Sequence, residues 1–280
     1  MIFEIIIPIV TAVISAVITG LFTLYSSRKE KEKVIKDADK MVKIAQENEQ
    51  FARNTFGSRE EVEKWSPMDE RLNYGLGIKE IRIINFTSNT LLNPELVDMV
   101  GLSSRSVFSE RIEGLVNKEN VRLTLIITAP GSEAAKESIR SHKVININTT
   151  DEDREKVFYC AYDALKQKIM PGGVYHKSYT ENNFVYKITD ISLPYGIFQV
   201  IYEDSSKNHI KLDLYSPYIT REKERRSIFI YEKKNPDDYA YFSNNFDQIM
   251  MNALTPAQEE KFAQQWMAKA RTYYKCKEMV

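Results

Sequence analysis

The sequence predicts a mixed α/β domain, a sheet flanked by helices, carried behind an N-terminal transmembrane helix and a helical stalk. Three observations predict it. Residues 5–25 hold no charged side chain and are mostly Ile, Val, Ala and Leu. Residues 28–53 are dense in Lys and Glu, with apolar side chains at three-four spacing. From residue 78 onward, β-branched runs alternate with helical patterns, and four strand-like runs then follow one another. That order implies a mixed sheet with helices packed on its faces.

The 5–25 run would span roughly 31 Å as a helix, enough for a hydrocarbon core. Glu4 precedes it and Arg28-Lys29-Glu30-Lys31-Glu32-Lys33 follows. A secretory leader would open on basic residues, and Met1-Ile2-Phe3-Glu4 has none, so residues 1–27 read as an uncleaved membrane anchor. The basic flank lies after the helix, which puts the N-terminus outside and the bulk of this single-pass chain in the cytoplasm. Few cysteines, Cys160 and Cys276, fit a reducing compartment. Thr11, Ser15, Thr19 and Thr23 recur every four residues beside Ala12, Ala16 and Gly20. Such a small-residue face would let two anchors approach as a homodimer.

Val34, Ile35, Ala38, Met41, Val42 and Ala45 give the 28–53 stalk an amphipathic face, suited to a short coiled coil or to a helix lying on the domain. Gly57, Ser58, Pro67, Gly75 and Gly77 punctuate a linker over 54–77. In the domain, 78–254, strands are expected at 81–86 and 121–127, with helices at 94–100 and 109–117 between them. Thr150, followed by Asp151, Glu152 and Asp153, opens a helix that Pro171-Gly172-Gly173 stops. Strands follow at 184–188, 196–202, 209–215 and 227–231. Asn235-Pro236-Asp237-Asp238 starts a helix to about residue 253, and Thr255-Pro256-Ala257-Gln258 starts the C-terminal helix of 255–280.

Composition narrows the chemistry. With 39 basic and 39 acidic residues among 280, the chain lacks the charge of a general nucleic-acid binder. An apolar fraction of 43% excludes wholesale disorder. Three histidines and two cysteines leave little for a metal, and no phosphate-loop, dinucleotide or zinc signature is present, so no cofactor is expected. Thr128-Ala129-Pro130-Gly131-Ser132 reads as a plain turn, Cys160 as a core thiol, and His142 and His176 as solvated loop or strand-end residues. His209-Ile210-Lys211 is different: on a strand, His209 and Lys211 project from one face while Leu212 and Leu214 take the other. Such a pair could hold a phosphate, the histidine as nucleophile and the lysine as clamp. The competing reading is an edge strand with its polar side in water.

The order of elements, with His209-x-Lys211 on a late strand before another strand and a helix, resembles one repeat of the phospholipase D-like fold. That superfamily's motif is His-x-Lys, four residues, then Asp. Here the Asp position falls on Ser216, and Asp213 is near but out of register. The Gly-Ser-x-Asn continuation is missing, although Ser243-Asn244-Asn245 lies downstream. Ile230-Tyr231-Glu232-Lys233 and the segment from Tyr241 to Phe246 are similar to divergent members in bacterial regulatory and membrane proteins. The resemblance covers 78–253. It implies His209 and Lys211 as catalytic residues and Ser216, Asn244 and Asn245 as ligand-binding ones.

An active site of that family joins two His-x-Lys motifs, so activity in this chain would need a homodimer. Ser216 is a poor substitute for the carboxylate that would orient the histidine. The leading expectation is a non-catalytic, membrane-anchored module for sensing, signalling or assembly that binds a phosphorylated ligand or a protein partner. The alternative is a homodimeric membrane-tethered phosphodiesterase acting on lipid or nucleic acid. A third is an unrelated α/β anchor protein in which His209 is structural.

Overall fold

The computed structural model describes residues 55–56, 71–73, 75–92, 104–143, 150–193, 195–214 and 226–275, all within the compact unit Asn54–Val280. The expected anchor with its small-residue face, the stalk, the 94–100 helix and Ser216 lie outside the described residues. Among the described residues, no helix is long and apolar enough to cross a membrane.

Among the described residues, seven strands form one mixed sheet: β1 (Thr55–Phe56), β2 (Ile78–Asn85), β3 (Arg122–Thr128), β4 (Phe184–Thr189), β5 (Tyr195–Tyr202), β6 (His209–Leu214) and β7 (Ser227–Tyr231). Their order is β1-β7-β6-β5-β2-β3-β4. Strands β2, β3 and β4 are parallel, and every other neighbouring pair is antiparallel. Parallel neighbours need crossovers, which helices supply. Helices α1 (Asn89–Leu92) and α2 (Ser104–Lys118) link β2 to β3. Helices α3 (Glu133–Lys143), α4 (Asp151–Ile169) and α5 (His176–Thr180) link β3 to β4. After β7 come α6 (Pro236–Met251) and α7 (Pro256–Lys275). Strand β3 is buried along its length after Arg122, which is why it reads as an unbroken apolar run.

Alternation sorts the strand side chains into two layers. Ile81, Leu123, Leu125, Phe198 and Val200 join Ile112 and Leu115 of α2 and Tyr162 and Leu165 of α4 in the larger core. Ile84, Ile126, Ile210, Leu212 and Ile230 face the other way and pack with Tyr239, Phe246 and Ile249 of α6. The two faces of β6 therefore meet different partners.

The helix starts follow their local chemistry. Thr255 and Gln258 cap reciprocally: the Gln258 amide donates to Thr255 Oγ1 at 3.3 Å and the Thr255 amide to Gln258 Oε1 at 2.8 Å. The expected side-chain cap at Asn235 is not made, and Pro236, Asp237 and Asp238 mark that start instead. The 128–132 segment is a turn, with Gly131 at φ +72° and Ser132 Oγ accepting the Ala135 amide at 3.1 Å to cap α3. His142, expected in a loop or at a strand end, lies within α3. Strand β1 and helices α1 and α5, of two, four and five residues, were not foreseen because they are too short to show a period.

A shared carboxylate ties the start of α7 to α4 and β4, in addition to the packing of Trp266, Ala270 and Tyr273 in the larger core and the Lys269–Glu155 ion pair. Glu259 accepts from Tyr162 of α4 at 2.7 Å, Lys166 of α4 at 2.9 Å and Tyr186 of β4 at 3.1 Å. Trp266 stands edge-on to Tyr162, with ring centroids 5.0 Å apart. Burial pushes the Tyr186 phenol up to about 12, so it stays a neutral donor to Glu259. Replacing Glu259 by Ala removes the common acceptor and leaves the ammonium without its counter-charge. The expected loss is about 2–4 kcal/mol of unfolding free energy in urea. A loss below about 0.5 kcal/mol, the ordinary level for a surface substitution, would show that the network does not hold α7.

Candidate functional site

Strand β6 sets the geometry. Its apolar residues Ile210 and Leu212 are drawn to the α6 layer, and this sends His209, Lys211 and Asp213 to the opposite face. His209 lies between Val200 and Tyr231, Lys211 between Phe198 and Phe229, and Asp213 between Gly196 and Ser227. The structure therefore brings His209 and Lys211 together. It also corrects the edge-strand alternative: β6 is interior to the sheet, and His209 and Lys211 are each only 3% exposed.

Aromatic rings enclose the histidine. Tyr202, Phe229 and Tyr231 have ring centroids 5.9, 6.0 and 5.7 Å from the imidazole. Nδ1 is 3.0 Å from the Lys207 carbonyl oxygen. A carbonyl only accepts, so in the neutral ring Nδ1 carries the proton and Nε2 is the bare nitrogen. Nε2 is buried and has no hydrogen-bond partner among the described residues. Burial lowers the imidazole pKa to about 4; the Lys207 carbonyl opposes this and the Arg71 charge adds to it.

The lysine is held within its own strand. Lys211 Nζ sits 3.1 Å from Asp213 Oδ1, and Ser227 of β7 donates its hydroxyl to the same oxygen at 2.5 Å. Asp213, out of register for the sequence motif, thus acts as the counter-charge of Lys211 rather than as a partner of His209. Arg71 lies over this side of the sheet. Its guanidinium carbon is 5.2 Å from the Phe229 ring centroid, and its backbone carbonyl accepts the Tyr202 hydroxyl at 2.8 Å. Leu72, fully buried, follows it into the larger core.

The two sequence-predicted asparagines do not join this pair. Asn244 is exposed on α6, and Asn245 donates to the Tyr195 hydroxyl. Helix α6 packs with Ile210 and Leu212, on the opposite side of the sheet from His209 and Lys211. Ser216 lies outside the described residues. Sequence reasoning did not reach Arg71, Ser227 or the aromatic enclosure. The i, i+2, i+4 spacing of His209, Lys211 and Asp213 was visible, but pairing with Ser227 depends on the β6–β7 register.

Other candidates resolve simply. Cys160 is a buried thiol of the larger core. His176, expected as a solvated residue, is half-buried, with Nδ1 3.0 Å from the Ile169 carbonyl oxygen. Among the described residues, no group of His, Cys, Asp and Glu is placed to hold a metal ion. As arranged, the site offers a neutral imidazole with a bare nitrogen and a paired ammonium, both closed to solvent. Comparisons with family models, curated proteins and solved structures found no match.

The depressed imidazole pKa links stability to pH. The folded His209 resists protonation down to about pH 4, whereas in the unfolded chain it takes a proton near pH 6.5. The unfolded state therefore binds more protons between these values. Stability should be fully present above pH 6.5 and fall as the pH drops toward 4, by about 3 kcal/mol from this group. Urea unfolding of the wild type and of His209→Gln at pH 7.5 and 5 checks this. The variant should lose less stability on acidification, and equal losses in both proteins would contradict the assignment.

Proposed function

We propose that this chain is a membrane-tethered phospholipase D-like domain that performs no phosphodiester chemistry and serves as a sensing or assembly module for a protein partner. The observation that carries the reading is the closure of its one His-x-Lys pair: His209 and Lys211 share a face of β6, yet each is 3% exposed and the ammonium is occupied by Asp213. The succession of β6, β7 and α6 supports the resemblance in element order. Ser216 at the motif's carboxylate position supports loss of chemistry. A buried, paired lysine also favours a protein partner over a phosphorylated ligand, because an anion would have to displace Asp213. The uncharged 5–25 run with its basic flank supports the tether.

A second reading, the homodimeric phosphodiesterase, is favoured by one detail: Nε2 of His209 is bare, and burial keeps the ring neutral, as a nucleophilic imidazole must be. Assays of the full-length protein in detergent and in phosphatidylcholine vesicles decide between them. Bis(p-nitrophenyl) phosphate, the vesicle lipid and single-stranded DNA are the substrates. The expected result is no turnover above that of His209→Ala. Turnover by the wild type that His209→Ala abolishes would overturn the non-catalytic reading.

A further inference from the structure

We propose that the free edge of β4 is a self-association site, where a second copy of this chain adds its own β4 antiparallel about a two-fold axis at Val185. The inference stands apart from the reading above and does not depend on what His209 does. Strand β4 ends the sheet beside β3. The Leu123 amide donates to the Asn183 carbonyl and the Ala129 amide to the Thr189 carbonyl, both at 2.7 Å. Odd-numbered residues of β4 thus turn their backbone groups to β3, and Phe184, Tyr186 and Ile188 turn theirs outward. The Leu254 amide agrees with this, donating to the Ile188 carbonyl at 2.8 Å from the outer side. That contact closes one end of the edge. The other end is closed by Asn182, whose φ of +61° leaves the extended region. Between them, the N–H and C=O groups of Phe184 and Tyr186 face away from the sheet, with no backbone partner among the described residues.

Such groups call for an extended backbone as their partner, and the short open stretch selects which one. An axis at Phe184 would set Tyr186 against the bent Asn182, and an axis at Tyr186 would set Phe184 against the occupied Ile188 carbonyl. An axis at Val185 pairs free positions alone: Phe184 of each copy exchanges both its hydrogen bonds with Tyr186 of the other. Phe184, Tyr186 and Ile188 point into the larger core or against it, so Val185 meets its own counterpart on the α6 side. Lys187, the only charge on the strand, lies off the axis. The edge lacks the usual guards against pairing, with no proline and no bulge in its register with β3. Its surroundings are apolar. Tyr179 of α5, Met251 of α6 and Phe262 of α7 are 40%, 68% and 45% exposed. Helices α5 and α6 touch β4, and α7 reaches it through Glu259 and Tyr186. A two-fold contact satisfies both β4 edges at once, so association stops at the pair. Strand β6 lies four spacings in from β4. The two His209 residues then stand roughly 43 Å apart across the joined sheet and cannot share a site.

Disulfide trapping of the full-length protein in detergent tests the register. Residues that face each other without exchanging hydrogen bonds have Cα atoms about 4.5 Å apart, within reach of a disulfide. Position 187 of one copy stands roughly 14 Å from position 187 of the other. Under copper–phenanthroline oxidation, Val185→Cys should form its disulfide at least about ten-fold faster than Lys187→Cys. Peptide mass spectrometry reads the linkage and separates it from any bond through Cys160 or Cys276. Hydrogen exchange gives a second readout. Val185→Glu sets two carboxylates against each other at the axis, so the Phe184 and Tyr186 amides should exchange about ten-fold faster than in the wild type. The Val185 and Lys187 amides, directed to β3, should hold and show that the sheet is intact. If they also speed up, trapping alone decides. Selective trapping at position 185 with selective loss of protection at Phe184 and Tyr186 supports the site. Equal or absent trapping at the two positions overturns it. So does exchange at Phe184 and Tyr186 that Val185→Glu leaves unchanged.

Discussion

A primary ammonium inside a sheet requires a counter-charge within bonding distance, because taking it out of water costs several kcal/mol. Lys211 meets this requirement through Asp213, two residues along its own strand, and Asp213 is shared with Ser227 of β7. Much of the surrounding architecture follows from that contact. It joins β6 to β7 at a defined pair, His209 then falls opposite Tyr231, and the row becomes fit to be covered. Breaking such a pair from one side leaves a charge buried and uncompensated, which is why the group belongs to the fold before it belongs to any reaction.

The same reasoning separates two meanings of a motif. Two residues at i and i+2 on a strand share a face whether or not they act on a substrate. What decides is whether the face is open. The aromatic rings of Tyr202, Phe229 and Tyr231 and the guanidinium of Arg71 turn a nominal phosphate site into a dry enclosure. The histidine in it is neutral for want of water, not because a catalytic partner tunes it.

Much of the sheet was legible in the sequence, because its strands are long enough to show composition and alternation. Leu212 and Leu214 against His209 and Lys211 announced two faces, and the structure has two, with Ile210 and Leu212 in the α6 layer. Strand order was less legible. Nothing local in β2 says that it pairs with β5 on one side and β3 on the other, since that choice is made by long-range burial. The candidate site was half legible for the same reason. His209 and Lys211 could be matched by spacing, but Asn244 and Asn245 were grouped with them only through the family resemblance, and α6 carries those two to the far side of the sheet. Arg71, more than a hundred residues upstream, left no mark in the strand's own pattern.

Strands with two similar faces can slide during folding and settle one residue out of step. Strand β6 is protected against that error. A slip by one position would turn an imidazole, an ammonium and a carboxylate toward Tyr239, Phe246 and Ile249, and would separate Asp213 from Ser227. The mispaired hairpin would carry a penalty at three alternate positions, so it would revert rather than persist. Whatever else it does, such a row of polar side chains acts as a proofreading device, rejecting wrong pairings before the helices close over the sheet.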